Sequence, residues 1–149
     1  MPVDEYIALE RNDQERYLET LLPDELLQFG IRLYNAGYFW HAHEAWEQVW
    51  MDAPRELRAF YQGLIQVTAA FVHLTKGEYP GTVRLLEAGI DKLAAYPGSF
   101  MGIELGKLVE RARAAREQVV ALGERRVGQF ERSWIPRIEL SQSSSWRGR

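Results

Sequence analysis

The chain has 149 residues, of which 46% are hydrophobic and 26% charged, and its formal net charge is −3. This composition is typical of one globular domain that can bury a core. The small negative charge argues against nucleic acid as a partner. The absence of cysteine excludes disulfides, thiolate metal sites and a cysteine nucleophile. No run is apolar enough for a membrane span and no signal-peptide pattern opens the chain, so we expect a soluble cytoplasmic protein.

Apolar periodicity, with proline and glycine as boundaries, predicts five to six helices joined by short turns. The first is expected over residues 3–21, with a break near Asn12 and Asp13. The others are expected at 23–35, 38–50, 55–76, 80–96 and about 103–122. No segment alternates with the two-residue period of a strand. The predicted fold is therefore all-α, a compact bundle built from antiparallel helical hairpins.

We interpret residues 1–140 as a single helical domain, although the pattern assigns no element to 130–140. Residues 141–149 are short, polar and serine-rich, and we expect them to form a disordered tail. A weak internal repeat aligns residues 33–49 with 73–89, at an offset of 40 residues. Each copy has the order helix, glycine turn, helix, which is similar to a tetratricopeptide hairpin. This repeat favours one candidate function, a helical protein-interaction module.

The most unusual stretch is the helix predicted over residues 38–50. Trp40, His43, Glu47 and Trp50 have the spacing that places side chains on one helix face. A glutamate is seldom buried without a partner, and His43 lies one turn from Glu47. The pair could bind a divalent metal ion or act as an acid–base pair. It could equally be a structural contact that fixes helix packing. The order His43-Glu44-x-x-Glu47 resembles the zinc-protease signature but lacks its second histidine.

A second polar stripe lies on the following helix, at Gln62, Gln66 and His73. With a hairpin turn at about residue 53, Gln62 and Gln66 lie within ~5 Å of the levels of Glu47 and His43 along the helix axis. These four residues can therefore form one cluster. His73 is ~15 Å from the level of His43, which favours a structural role for this residue.

The segment from Tyr34 to Trp50 resembles the prokaryotic family catalogued as domain of unknown function 309, through an aromatic pair followed by His-Glu-x-x-Glu-x-x-Trp. The similarity continues at residues 60–66, around His73, at 77–81 and at 102–104, and covers about 28–120. It implies a compact all-helical fold and brings no established activity. The family pattern points to these residues: His43, Glu44, Glu47, Trp50, Gln62, Gly63, Gln66, His73 and Glu104. Gly63, within a helix, indicates a close approach of two helices.

The leading hypothesis is an interhelical pocket formed by His43 and Glu47, with Gln62, Gln66 and Glu104 in support. Such a pocket would bind a small ligand or a divalent metal ion. For an enzyme, hydrolysis with Glu47 as general base would be the simplest chemistry. A protein partner is the alternative. The five tryptophans also lead us to expect a homo-oligomer, if some of them lie on exposed helix faces.

Overall fold

The computed structural model describes residues 1–141, and within this range the regular structure is helical. The all-helical prediction is confirmed. No helix in this range is long and apolar enough to cross a membrane. The seven α-helices are α1 Val3–Ala8, α2 Arg11–Glu19, α3 Pro23–Asn35, α4 Phe39–Met51, α5 Arg55–Thr75, α6 Tyr79–Leu93 and α7 Leu105–Arg126. Two short 3-10 helices follow at Val127–Gln129 and Arg132–Trp134.

The N-terminal segment differs from the prediction, because it forms two helices instead of one. The chain is extended at Leu9 and Glu10, so the break does not lie at Asn12 and Asp13. Tyr6 is 1% exposed and its backbone carbonyl accepts a hydrogen bond from the buried Gln14 side chain at 3.0 Å. This contact holds α2 against the end of α1. Because the N-terminal segment forms two helices, the structure has seven α-helices instead of the expected five to six.

Two turns repeat the same geometry. Gly37 and Gly77 have positive φ angles of +90° and +74°, a conformation that glycine adopts without strain. In both turns the glycine N–H bonds the carbonyl three residues earlier, and the next N–H bonds the carbonyl five residues earlier. The turn joining α3 to α4 therefore matches the turn joining α5 to α6, at the 40-residue offset seen in the sequence.

Two close approaches bring the helices together. Trp46 is completely buried, and its indole N–H donates to the carbonyl of Leu27 at 3.2 Å. The ring lies over Gly30, where an added Cβ would be 2.2 Å from the indole nitrogen. Between α5 and α6, an added Cβ on Gly89 would be 2.9 Å from the carbonyl oxygen of Gly63. The close approach expected at Gly63 is therefore confirmed.

The C-terminal segment, defined as residues 130–141, packs along the end of α3. Asn35 exchanges two hydrogen bonds with the backbone of Ile138, at 2.9 and 2.8 Å. The buried hydroxyl of Tyr34 donates to the carbonyl of Pro136 at 2.6 Å. The segment ends at Ser141, and residues 142–149 of the expected disordered tail lie outside the described part of the chain.

Candidate functional site

The predicted stripe on α4 places an imidazole between an indole and a carboxylate. The ring of His43 stacks on that of Trp40, with centroids 5.0 Å apart and planes 14° apart. His43 Nδ1 lies 3.4 Å from Glu47 Oε1. The geometry is not that of a hydrogen bond, and Nδ1 is buried without a hydrogen-bond partner in the protein. The His43 side chain is 14% exposed and that of Glu47 51%, so the pair lies at the protein surface.

Trp50 continues the stripe and adds a residue that the sequence did not indicate, Arg58. The Arg58 guanidinium lies 4.4 Å from the centre of the Trp50 ring and donates to the Trp50 carbonyl at 3.1 Å. A cation over an indole face is attracted by the π electrons of the ring. The indole nitrogen Nε1 of Trp50 is buried and has no hydrogen-bond partner in the protein.

Gln62 and Gln66 lie partly buried on α5, and Gln66 Oε1 is buried without a hydrogen-bond partner. Two contacts fix the register of α5 against α4. One joins Arg58 to Trp50, and the other joins the rings of Phe71 and Phe39 at 6.0 Å. Counting one residue along α5 for each residue along α4 between these two contacts places Gln66 level with His43 and Gln62 level with Glu47.

Glu44, His73 and Glu104 contact other groups. Glu44 lies 3.3 Å from the Arg11 guanidinium of α2, and His73 Nδ1 lies 2.6 Å from Glu78 Oε1. Glu104 precedes α7, where its side chain lies 3.7 Å from Lys107 Nζ. Counted along α5, His73 is seven residues beyond Gln66, or ~10 Å. These three residues therefore have partners away from the His43 imidazole.

A cavity of about 360 Å³ lies between α2 and α4. Three of the predicted ligand residues line it, namely Glu44, Glu47 and Trp50. The other lining residues are two carboxylates, one guanidinium, two amides and three apolar or aromatic side chains: Glu15, Glu19, Arg11, Gln14, Gln48, Tyr6, Leu18 and Met51. We call this space the α2–α4 cavity. Its volume falls in the range of small-molecule sites.

The α2–α4 cavity is negatively charged. Its lining holds four carboxylates and one guanidinium, and that guanidinium, Arg11, already contacts Glu15 and Glu44. Burial, together with the nearby carboxylates of Glu44 and Glu15, raises the pKa of Tyr6 to about 12. The ring of His41 lies 6.3 Å from that of Tyr6, and burial, which outweighs the Glu44 charge, lowers the pKa of this histidine.

The metal prediction finds no support in this arrangement. Within residues 1–141, no three histidine or carboxylate side chains form a group that could hold a metal ion. His43 and Glu47 supply two donors, whereas zinc in proteins takes three or four protein ligands. The expected homo-oligomer is likewise not shown by the structure.

These features define a small all-helical protein with a polar cavity beside a His–Glu pair. Residues 27–85 match the model of the family described as "Domain of unknown function (DUF309)". The match confirms the resemblance seen in the sequence. It includes every predicted site residue except Glu104, which lies beyond residue 85.

Two relatives extend the similarity. The "Uncharacterized protein" of Aquifex aeolicus (strain VF5) is 30% identical over 129 residues, which cover 83% of this chain and 37% of that protein. The "Uncharacterized protein YpuF" of Bacillus subtilis (strain 168) is 24% identical over 102 residues, which cover 66% of this chain and 59% of that protein. The chain therefore spans less than two thirds of either relative. Neither description names an activity, and the function stays unknown.

Proposed function

We propose that the protein binds a small organic cation in the α2–α4 cavity. The observation that carries this proposal is the lining: Glu44, Glu47 and Trp50, selected from the sequence pattern, meet in one space of about 360 Å³. Apolar walls next to carboxylates suit a ligand that has an apolar body and an amine. The Trp50 indole adds an aromatic wall to the cavity, while the Arg58 guanidinium occupies a face of its ring.

Unpartnered polar atoms concentrate in the predicted site, and one of its residues also lines the cavity. Among residues 1–141, four buried side-chain nitrogen or oxygen atoms lack a hydrogen-bond partner in the protein. Three of them belong to His43, Trp50 and Gln66, all residues of the predicted site. Buried polar groups are usually satisfied, and an exception calls for an explanation such as a water, an ion or a functional role. Trp50 belongs to both sets, because it also lines the cavity.

Trp40 provides a route to the imidazole. Its side chain is 49% exposed and stacks on His43. Exposed side chains change rotamer on the picosecond to nanosecond scale, so a movement of Trp40 would uncover His43 without a change in the helices. Hydrolysis with Glu47 as general base stays a prediction.

The test is a thermal-shift screen of the whole chain against small aliphatic and aromatic amines, paired with the corresponding carboxylic acids. We expect amines to raise the melting temperature, because a ligand at 100 times its Kd stabilises the folded state by ~2.7 kcal/mol. Glu47→Gln and Trp50→Phe should reduce the shift. Glu110→Gln, on an exposed part of α7, is the matched control. Equal responses to amines and acids would refute the proposal.

The second candidate is a helical interaction module in which the polar cluster is structural. The matching turns at Gly37 and Gly77 favour it. The variants His43→Ala and Glu47→Ala distinguish the two functions. A structural cluster predicts that His43→Ala lowers the free energy of unfolding, because the stacking of the His43 ring on Trp40 is lost. A binding site predicts an intact fold that no longer binds amines.

A further inference from the structure

A second cavity, of about 350 Å³, opens where the start of α3 meets the turn between α4 and α5. Its inner wall is apolar and includes Leu26, Val49, Leu57 and the ring of Tyr61. Met101, from the loop before α7, closes one side. We call this space the α3–α5 cavity. It adjoins the α2–α4 cavity through Glu19 and Gln48, which line both.

The outer edge of the α3–α5 cavity is acidic. Glu19, Asp24 and Asp52 line it, and all three are exposed. Among residues 1–141, none of these carboxylates has a basic nitrogen within ion-pair distance. Burial, with a contribution from the Asp24 charge, raises the pKa of Tyr61 to about 12. The cavity therefore suits an apolar ring that carries positive charge beside it.

The described chain ends next to this cavity. The backbone N–H of Ser141 donates to the carbonyl of Gly102 at 2.8 Å, and Gly102 directly follows Met101 in the sequence. The segment beyond Ser141 is Gln-Ser-Ser-Ser-Trp-Arg-Gly-Arg. It has two arginines, one tryptophan and no acidic residue. Trp146 is five residues from Ser141, which an extended chain spans in ~17 Å.

We propose that the indole of Trp146 docks into the α3–α5 cavity of the same molecule, with Arg147 and Arg149 against the carboxylates of Asp24 and Asp52. Three observations agree on this occupant: the apolar wall, the unpaired acidic edge and the position of Ser141. Because a short tether gives a millimolar effective concentration, a modest affinity is sufficient. Burying an aromatic ring supplies the largest apolar contribution of any side chain.

Docking has a consequence for the neighbouring cavity. Glu19 and Gln48 line both spaces, so arginines held at the acidic edge would lower the negative potential that an amine meets in the α2–α4 cavity. The segment is thus expected to oppose cation binding there. This consequence depends on the proposed function, whereas the docking itself does not.

The test uses the methyl groups of methionine in the full chain. The chain contains three methionines, of which Met101 lines the α3–α5 cavity and Met51 lines the α2–α4 cavity. Selective methyl labelling gives three NMR signals, and Met101→Leu assigns one of them. A docked indole shifts the Met101 signal upfield. Trp146→Ala should remove this shift and leave Met51 unchanged, and Trp146→Phe should retain part of it.

Trp134→Ala is the matched control, because Trp134 is 43% exposed and lies outside the lining of this cavity. It should leave the Met101 signal in place. The double variant Asp24→Asn and Asp52→Asn should reduce the shift, as should raised salt, because exposed ion pairs are screened. A Met101 signal that is identical with and without Trp146 overturns the proposal. A shift that grows with protein concentration, together with a dimer in light scattering, also overturns docking within one molecule.

Discussion

Substitution of Gly30 by alanine tests the packing that holds α3 against α4. The added Cβ would lie 2.2 Å from the indole nitrogen of Trp46, a ring that is completely buried and hydrogen-bonded to Leu27. Overpacking of this kind costs ~1–3 kcal/mol, and displacing the indole costs the hydrogen bond, ~1 kcal/mol. Alanine returns ~1 kcal/mol in helix propensity. The expected net loss is ~1–3 kcal/mol.

Thermal unfolding followed by circular dichroism measures this loss. For a chain of this size, 1 kcal/mol lowers the melting temperature by ~2–4 °C. Gly128→Ala is the control, because an added Cβ there meets nothing within 4 Å. We expect that variant to unfold at the wild-type temperature within ~2 °C, since surface substitutions stay within about 0.5 kcal/mol.

The α5–α6 pair supplies the rescue variant. At the 40-residue offset, Ala70 and Leu86 occupy the positions of Gly30 and Trp46, and both are fully buried. Leucine leaves room for the extra methyl group. In a Trp46→Leu background, Gly30→Ala should therefore be neutral or stabilising, with a coupling energy of ~1–3 kcal/mol between the two sites. A Gly30→Ala protein as stable as the wild type, or a coupling energy of zero, would refute the reasoning.

Two other predictions concern tyrosines. Tyr34→Phe removes the donor to the buried Pro136 carbonyl, and urea unfolding should show a loss of ~1–3 kcal/mol; an unchanged midpoint would contradict the assigned bond. The pKa values of Tyr6 and Tyr61 are raised from 10.0 to about 12, so in this window the unfolded chain releases protons that the folded chain retains. The free energy of unfolding should therefore fall as pH rises from 10 to 12. Tyr6→Phe should lessen this fall, and an alkaline titration followed by tyrosinate absorbance measures the raised pKa values directly.

Proline and glycine made most helix boundaries predictable. Pro23 stands at the start of α3, and Gly37 and Gly77 end α3 and α5 with the positive φ angles that favour glycine. The predicted end of the last helix at Gly123 coincides with a residue of non-helical backbone inside α7. These residues act through local sterics, which a sequence shows directly.

Contacts between distant residues were not predictable in the same way. Residues 130–140 received no assignment, because the bonds that place them go to Tyr34 and Asn35, about a hundred positions away. Gln14 interrupts the N-terminal pattern, and its partner is the carbonyl at Tyr6. Neither segment carries a periodic signal that reveals such a bond.

The candidate site shows the same division. The spacing of His43 and Glu47 predicted that their side chains approach each other, and they lie 3.4 Å apart. Arg58 was missed, although its cationic side chain lies over Trp50, because a single arginine near a helix start has many possible roles. The contribution of α2 to the cavity was also missed, since nothing in its sequence indicates which helix it covers.

The bond between Tyr34 and Pro136 joins residues 102 positions apart, and this separation affects how the molecule is made. At a synthesis rate of ~5–20 residues per second, the ribosome adds Pro136 ~5–20 s after Tyr34. The α3–α4 and α5–α6 pairs, each joined by a glycine turn, are both completed within that interval. The Tyr34 hydroxyl therefore lacks its acceptor, the Pro136 carbonyl, until that residue has been made. Residues 130–141 therefore set the moment at which the end of α3 gains its native contacts in a nascent chain.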